Sequence, residues 1–231
     1  MQKKISVIVP CYNVEQFVDR CFESLKNQTI GIGNMELIFV NDASTDGTLP
    51  KILEYERQYP DDVMVINLEE NRGLGAVRNI ALSYATAPYI GCVDSDDWVE
   101  AEMFEKMVEA LEEYNCDFVE CDWGYFSDGN EDFKKSAFEI GEEGFYDFSN
   151  YDVKKKYIAE QLFFTSACNK VYNRSFLLEH ELCFMEGKRY EDIYFCFLLI
   201  LYTNSYYHIS EAYYHYYQNP NGIVQQRTAP W

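Results

Sequence analysis

Ile5-Ser-Val-Ile-Val9, closed by Pro10, decides how the chain is to be read. Its apolar and β-branched side chains fall on both faces of an extended segment, which marks a strand covered on both sides. A helix is predicted next, because Val14, Phe17, Val18, Cys21, Phe22 and Leu25 recur at helical steps, with Asn13 as N-cap and Gln16 in the first turn. The alternation then repeats. Strands are predicted at Glu36 to Val40, Val63 to Asn67, Tyr89 to Val93 and Asp117 to Trp123. Between them lie helices through Ile52 and Tyr59, through Leu74, Val77, Ala81 and Tyr84, and through Phe104, Met107, Val108 and Leu111. This pattern predicts an α/β fold with a mostly parallel, Rossmann-like central sheet flanked by helices, and ligands beyond the carboxyl ends of the strands.

Beyond Trp123 the periodicity weakens. Gly124 to Tyr151 reads as an irregular polar connection, followed by helices at Asp152 to Phe163 and Glu191 to Tyr202 and by short Tyr-rich strands from Ser205 to Tyr217. The expected organisation is one domain over residues 1–231, in two halves, 1–125 and a smaller, mixed 126–231.

The 231 residues, 48% apolar and 17% aromatic, suffice for a sizeable core. With 39 acidic and 19 basic side chains the formal charge is −20, which disfavours nucleic acid as a partner. An acidic protein that handles an anionic small molecule needs a local cation, and a divalent metal is the usual one. Cys11, Cys21, Cys92, Cys116, Cys121, Cys168, Cys183 and Cys196 lie in apolar stretches and read as reduced core residues; neither they nor His180, His208 and His215 have zinc-ligand spacing. The start of the chain lacks a signal-peptide cleavage site. The longest apolar run, Ile193 to Tyr202, is ten residues, against about 18 for a bilayer span. A soluble, cytoplasmic protein is predicted.

Polar residues gather where the strands end: Pro10 to Asn13, Asn41 to Gly47 and Asp94 to Asp97. Carboxylates crowded after an apolar strand repel one another, and Mg²⁺ or Mn²⁺ would relieve this with Asp96 as ligand; a solvated loop is the ordinary alternative. Asp42, Ser44, Asp46 and Gly47 imitate an EF-hand, but its twelfth position is Leu53 instead of Glu. Gly73-Leu-Gly75 lacks the third glycine of a dinucleotide fingerprint, where Arg78 stands. Arg78 could tie down Asp94 or a phosphate, or make a surface ion pair. Glu191 and Asp192 fit a helix N-terminus as well as a catalytic pair.

Four ordered motifs, Ser6-Val-Ile-Val-Pro-Cys-Tyr-Asn13, Val40-Asn-Asp-Ala-Ser-Thr-Asp-Gly-Thr48, Asn71-Arg-Gly-Leu-Gly-Ala-Val-Arg-Asn79 and Val93-Asp-Ser-Asp-Asp-Trp98, together resemble those of the family 2 glycosyltransferases. Asn169-Lys-Val-Tyr172 and Tyr190-Glu-Asp-Ile-Tyr-Phe195 extend the resemblance into the second half. It implies a GT-A fold and inverting transfer of a sugar from a nucleotide diphosphate donor, with UDP favoured. The acceptor would be a saccharide or lipid-linked saccharide used in cell-surface polysaccharide synthesis, with peripheral association at the inner membrane face. Carried onto this sequence, Pro10 and Tyr12 would line the base pocket and Asp42 would hydrogen-bond the base or ribose. Asp94 would contact the ribose, Asp96 the metal in the DxD motif, and Arg78 the aspartate or diphosphate. Glu191 and Asp192 would form the ED motif, with Asp192 as general base.

Tyr216-Tyr-Gln-Asn-Pro-Asn-Gly-Ile-Val224 departs from the family pattern, since it lacks the arginine that helps cover the diphosphate; His215 or Lys170 are the stand-ins considered. The chain also stops where relatives continue, as a truncated one would. A sugar nucleotidyltransferase would need a glycine-rich loop that Pro10 to Asn13 does not offer, and a non-catalytic nucleotide-sugar-binding module is the other alternative. Tyr206, Tyr207, Tyr213, Tyr214, Tyr216 and Tyr217 suggest an acceptor or protein platform, or alternating burial in a strand.

Overall fold

The computed structural model of the protein describes residues 2–127, 130–135, 142–160 and 164–220. The first strand, β1 (Ile5–Cys11), runs beside β2 (Met35–Asn41) and β4 (Tyr89–Cys92), with β3 (Val63–Asn67) outside β2, all parallel. Every residue of β1 is buried, as its two apolar faces require. The strand runs through Pro10, which costs no ladder bond. Ile8 O accepts from Val93 N (3.0 Å) on the β4 side. Pro10, two residues on, faces the same way, where β4 has already ended, so its missing N–H faces no ladder partner.

Helices α1 (Val18–Lys26) and α2 (Thr48–Gln58) pack on one another, Phe22 stacking on Tyr55 at 3.9 Å. The next helix, α3 (Leu74–Tyr84), returns the chain across the sheet to β4, and right-handed crossovers put it on the opposite face. It packs there against α7 (Glu191–Tyr202). The switch from β2 and β3 on one side of β1 to β4 on the other makes the crevice at the strand ends where such folds bind ligands.

Past β4 the sheet becomes mixed. A two-residue strand β5 (Trp98–Val99) and helix α4 (Met103–Tyr114) lead to β6 (Phe118–Ser127). The stretch expected to be irregular contains β7 (Asn130–Lys135) and β8 (Gly144–Asp147). Then come α5 (Tyr151–Ala159), β9 (Lys170–Asn173), the unforeseen α6 (Arg174–Glu179), α7 and β10 (Ser205–Tyr217). The order is β3-β2-β1-β4-β9-β6-β10-β5, with β7 on β6 and β8 on β10, so among the described residues one sheet of ten strands is continuous from end to end. Residues 161–163 of the expected Asp152 to Phe163 helix lie outside the described residues, as do 221–224 of the divergent C-terminal motif.

Several expectations are corrected. The tyrosine-rich C-terminal stretch is a single strand of 13 residues, kept continuous by register shifts where it passes Ile209, Ala212 and Tyr214. Asn13 does not cap α1: its φ of 53° is left-handed, and its Oδ1 accepts from Thr45 N at 2.8 Å. An N-cap needs an extended backbone, so the loop contact wins over the local signal. Cys183 is exposed, while the other seven cysteines are buried and free. No helix among the described residues is long and apolar enough to cross a membrane.

Candidate active site

A cleft of about 850 Å³ opens at the carboxyl ends of β1, β2 and β4, and Pro10, Tyr12, Asp42, Arg78, Asp94, Asp96, Glu191 and Asp192 all line it. The structure therefore brings these eight residues together in one cleft. The structure adds what each side chain holds. Asp42 is buried, and its two carboxylate oxygens accept from Arg72 N (2.7 Å) and Gly73 N (2.9 Å). Gly73 has φ of 81° at the entry to α3, a conformation that favours glycine. Asp42 thus fixes the turn that aims α3, and each of its oxygens keeps a second lone pair for a ligand. Tyr12 is half-exposed at the rim of the cleft.

Arg78 is only 2% exposed. Its guanidinium donates to Asp94 Oδ1 (2.7 Å) and to Glu191 Oε1 (2.5 Å), joining the end of β4 to the start of α7. The surface-pair alternative fails, because the arginine is buried. Burial of an arginine demands partnered carboxylates, so Asp94, Arg78 and Glu191 behave as one unit. Close approach of α3 to the segment before α7 makes this geometry attainable. Asn79 pairs with the Phe184 backbone in both directions, accepting from its N–H (2.8 Å) and donating to its O (2.9 Å). A Cβ on Gly75 would lie 2.3 Å from Met185 O. Gly75→Ala is therefore expected to cost about 1–3 kcal/mol in urea denaturation. Gly33→Ala, at a position with open space around it, should not shift the midpoint; equal midpoints for the parent and Gly75→Ala would overturn the close-contact argument.

The acidic turn is held from a distance. Asp97 is 1% exposed and accepts from Tyr214 Oη (2.5 Å) and Tyr217 N (2.7 Å) of β10. Tyr214 Oη in turn accepts from Asp94 N (3.1 Å). Burial, with the Asp96 and Asp94 charges, pushes the Asp97 carboxyl well above the usual range. Asp97 is structural, then, and frees Asp94 and Asp96 to face the cleft. Asp96 is half-buried and accepts from Asn219 Nδ2 (3.0 Å). Burial and the Asp94 charge raise its carboxyl too, against the opposing pull of the Asn219 bond. Arg20 steadies the same turn: it donates to Asp96 O (2.7 Å) and its guanidinium lies 3.9 Å from the Trp98 ring centre. Arg20 carried no signal in the sequence, and Tyr214 and Asn219 were noted there only for a tyrosine-rich strand and a divergent motif, since their bonds to the acidic turn form only when distant segments meet.

Glu191 and Asp192 open α7, where the positive end of the helix dipole favours acids. Their side chains diverge. Glu191 turns inward to Arg78, whereas Asp192 is half-buried and accepts only from the neighbouring Ile193 N (3.0 Å) in the side-chain bonds found for it. Burial raises the carboxyl of each above its ordinary value, opposed by the Arg78 charge. A carboxyl shifted upward binds a proton more readily at neutral pH, which suits a general base. Neither His215 nor Lys170 is in a position to cover a diphosphate. His215 pairs with Glu100 (2.7 Å) and stacks on Trp98, while Lys170 is buried against Glu120 (3.1 Å) and the Ser166 and Phe164 carbonyls.

Comparison with known proteins agrees with this arrangement. Residues 6–180 match the family described as Glycosyl transferase family 2. EpsH of Bacillus subtilis is 32% identical over 96% of this chain and 63% of its own length. The poly(ribitol-phosphate) beta-glucosyltransferase of Bacillus spizizenii is 39% identical over 43% of this chain and 16% of its own. The crystal structure of S. aureus TarS in complex with UDP-GlcNAc superposes with a TM-score of 0.80 at 26% identity, covering 98% of this chain and 62% of that one. The chain thus spans less than two thirds of the length of these relatives. Its fold is of the GT-A type seen in TarS, and the chain belongs to glycosyl transferase family 2.

Proposed function

We propose that the protein is an inverting glycosyltransferase that moves a sugar from a UDP-sugar to a saccharide or lipid-linked saccharide in cell-surface polysaccharide synthesis. The observation that carries this reading is the Asp94–Arg78–Glu191 unit, which links the donor-side carboxylates to the base-side helix in one cleft. The complex of TarS with UDP-GlcNAc supports the uridine donor, and the ribitol-phosphate relative supports a cell-envelope acceptor. Residues 1–125 would bind the donor and 126–231 the acceptor and base within one domain.

In the reaction, Asp192 takes the proton from an acceptor hydroxyl as its oxygen attacks the anomeric carbon. The bond from that carbon to the diphosphate breaks, and its electron pair leaves with UDP. Pro10 and Tyr12 line the base end of the cleft, Asp42 and Asp94 receive base and ribose, and Arg78 holds Asp94 in place. Among the described residues no group of three or more His, Cys, Asp or Glu side chains is arranged to hold a metal alone. Mg²⁺ or Mn²⁺ would take Asp96 as its carboxylate ligand and complete its shell with water and phosphate oxygens. Such an ion would neutralise charge on the departing diphosphate. The reading includes a cytoplasmic protein that works peripherally at the inner membrane face.

Calorimetric titration with UDP, with and without Mn²⁺, tests the assignment. Binding is expected to need the metal and to weaken by about tenfold or more in Asp96→Ala. A folded parent that binds no UDP under either condition would overturn the uridine donor, and binding without turnover of any UDP-sugar would leave a nucleotide-sugar-binding module.

A further inference from the structure

On the wall of the cleft formed by β6 and β10, Trp123 and Tyr216 present aromatic rings that none of the donor or base assignments use. Trp123 meets Tyr216 edge to face, with centroids 5.7 Å apart at 89°, and Phe164 likewise at 6.1 Å and 78°. Tyr125 touches its other side at 4.6 Å. Three rings thus hold the indole, which still lines the cleft. The indole N–H is buried and meets no acceptor among the described residues. A buried donor left unmatched costs free energy, so a site that keeps one is matched by a group that arrives from outside.

The same wall carries Ser166, whose Oγ accepts from Cys168 N (3.2 Å) and so retains its own O–H to donate. Cys168 lies 3.7 Å from the Arg78 guanidinium, which connects this wall directly to the Arg78 unit. A flat π face, an unmatched N–H and a free hydroxyl proton together match a pyranose: its C–H face lies on the negative face of an aromatic ring while its hydroxyls take and give hydrogen bonds. The carboxylates of the cleft would repel an acidic sugar or a phosphate at this place.

We propose that Trp123, with Tyr216 and Ser166, forms the acceptor subsite and holds a neutral pyranose ring of the acceptor saccharide. The inference rests on the glycosyltransferase reading and names the substrate class of that site.

The test is saturation-transfer NMR on the full chain saturated with UDP and Mn²⁺, with chitotetraose and cellotetraose as neutral probes and an oligoglucuronate as the anionic one. UDP affinity is measured on the same samples. At least one neutral probe is expected to bind, about tenfold more weakly to Trp123→Ala and less affected in Trp123→Phe, with UDP affinity unchanged throughout. The Phe variant keeps a ring in place, so it carries the test if the Ala variant fails to fold. Absence of binding by both neutral probes, equal binding by the folded variants and the parent, or preference for the oligoglucuronate would overturn the subsite while UDP binding stands. Loss of UDP binding in the parent itself would overturn the donor reading instead, and the subsite with it.

Discussion

Asp192→Asn is expected to lower kcat by about 10²- to 10⁴-fold, the range for removal of a general base. The affinity for UDP should stay close to that of the parent, because Asp94 is held by Arg78, while the Asp192 side chain accepts from Ile193 N. The pH profile gives a second reading. The base works deprotonated, so kcat/KM should rise with pH on the acid side. Burial raises the Asp192 carboxyl above its ordinary value, so that rise should lie higher than an exposed aspartate would give. In Asp192→Asn this limb should vanish from whatever rate remains. A variant with parental kcat, or with an unchanged acid limb, would remove Asp192 from the chemistry and leave it as a first-turn helix acid.

Arg78→Met should have the largest effect on the fold itself. Removing the cation from a buried unit leaves the Glu191 carboxylate, 7% exposed, without its partner, and breaking such a pair costs about 3–5 kcal/mol. Because the same guanidinium holds Asp94, UDP affinity should fall as well. The double variant Arg78→Met/Glu191→Gln separates the two effects: it removes the stranded charge, so much of the stability should return in urea denaturation while UDP binding stays impaired. If the single variant is as stable as the parent, the unit is not what joins β4 to α7. Arg78→Lys is not expected to rescue, since one ammonium cannot reproduce the fork that reaches both carboxylates.

How far these features could be read in advance depended on whether their causes were local. Ile5 to Val9 and Tyr89 to Val93 announce themselves as strands because apolar residues fill both faces, and α7 ends where its apolar run does, at Tyr202. That Pro10, Asp42, Asp94 and Asp96 share an edge was legible for the same reason, since whatever follows the strands of a parallel sheet must do so, whereas Arg78, Glu191 and Asp192 lie on helices and were singled out by their charge and by the resemblance. Asn13 shows the limit. Its composition fits a cap, yet a bond to Thr45, 32 residues away, sets its backbone. Asp97 is a further case, since nothing near it marks it as buried beneath a strand that begins more than 100 residues later. The partners of His215 and Lys170 were not legible because the carboxylates concerned, Glu100 and Glu120, lie on other strands and loops.

The bonds from Tyr214, Tyr217 and Asn219 to the acidic turn also govern the order in which the site can come into being. Synthesis delivers the strands that frame the turn first, and the residues that clamp it emerge more than 100 positions later. Until they arrive, Asp97 has no donors for its carboxylate, and repulsion within Asp94 to Asp97 is relieved only by opening the turn to water. Contacts separated by 117 to 123 residues form slowly, because a long loop must close before they contribute. Nascent chains that stop short of β10 therefore carry the framework of the cleft without a settled acidic turn, which forms only once β10 has been made.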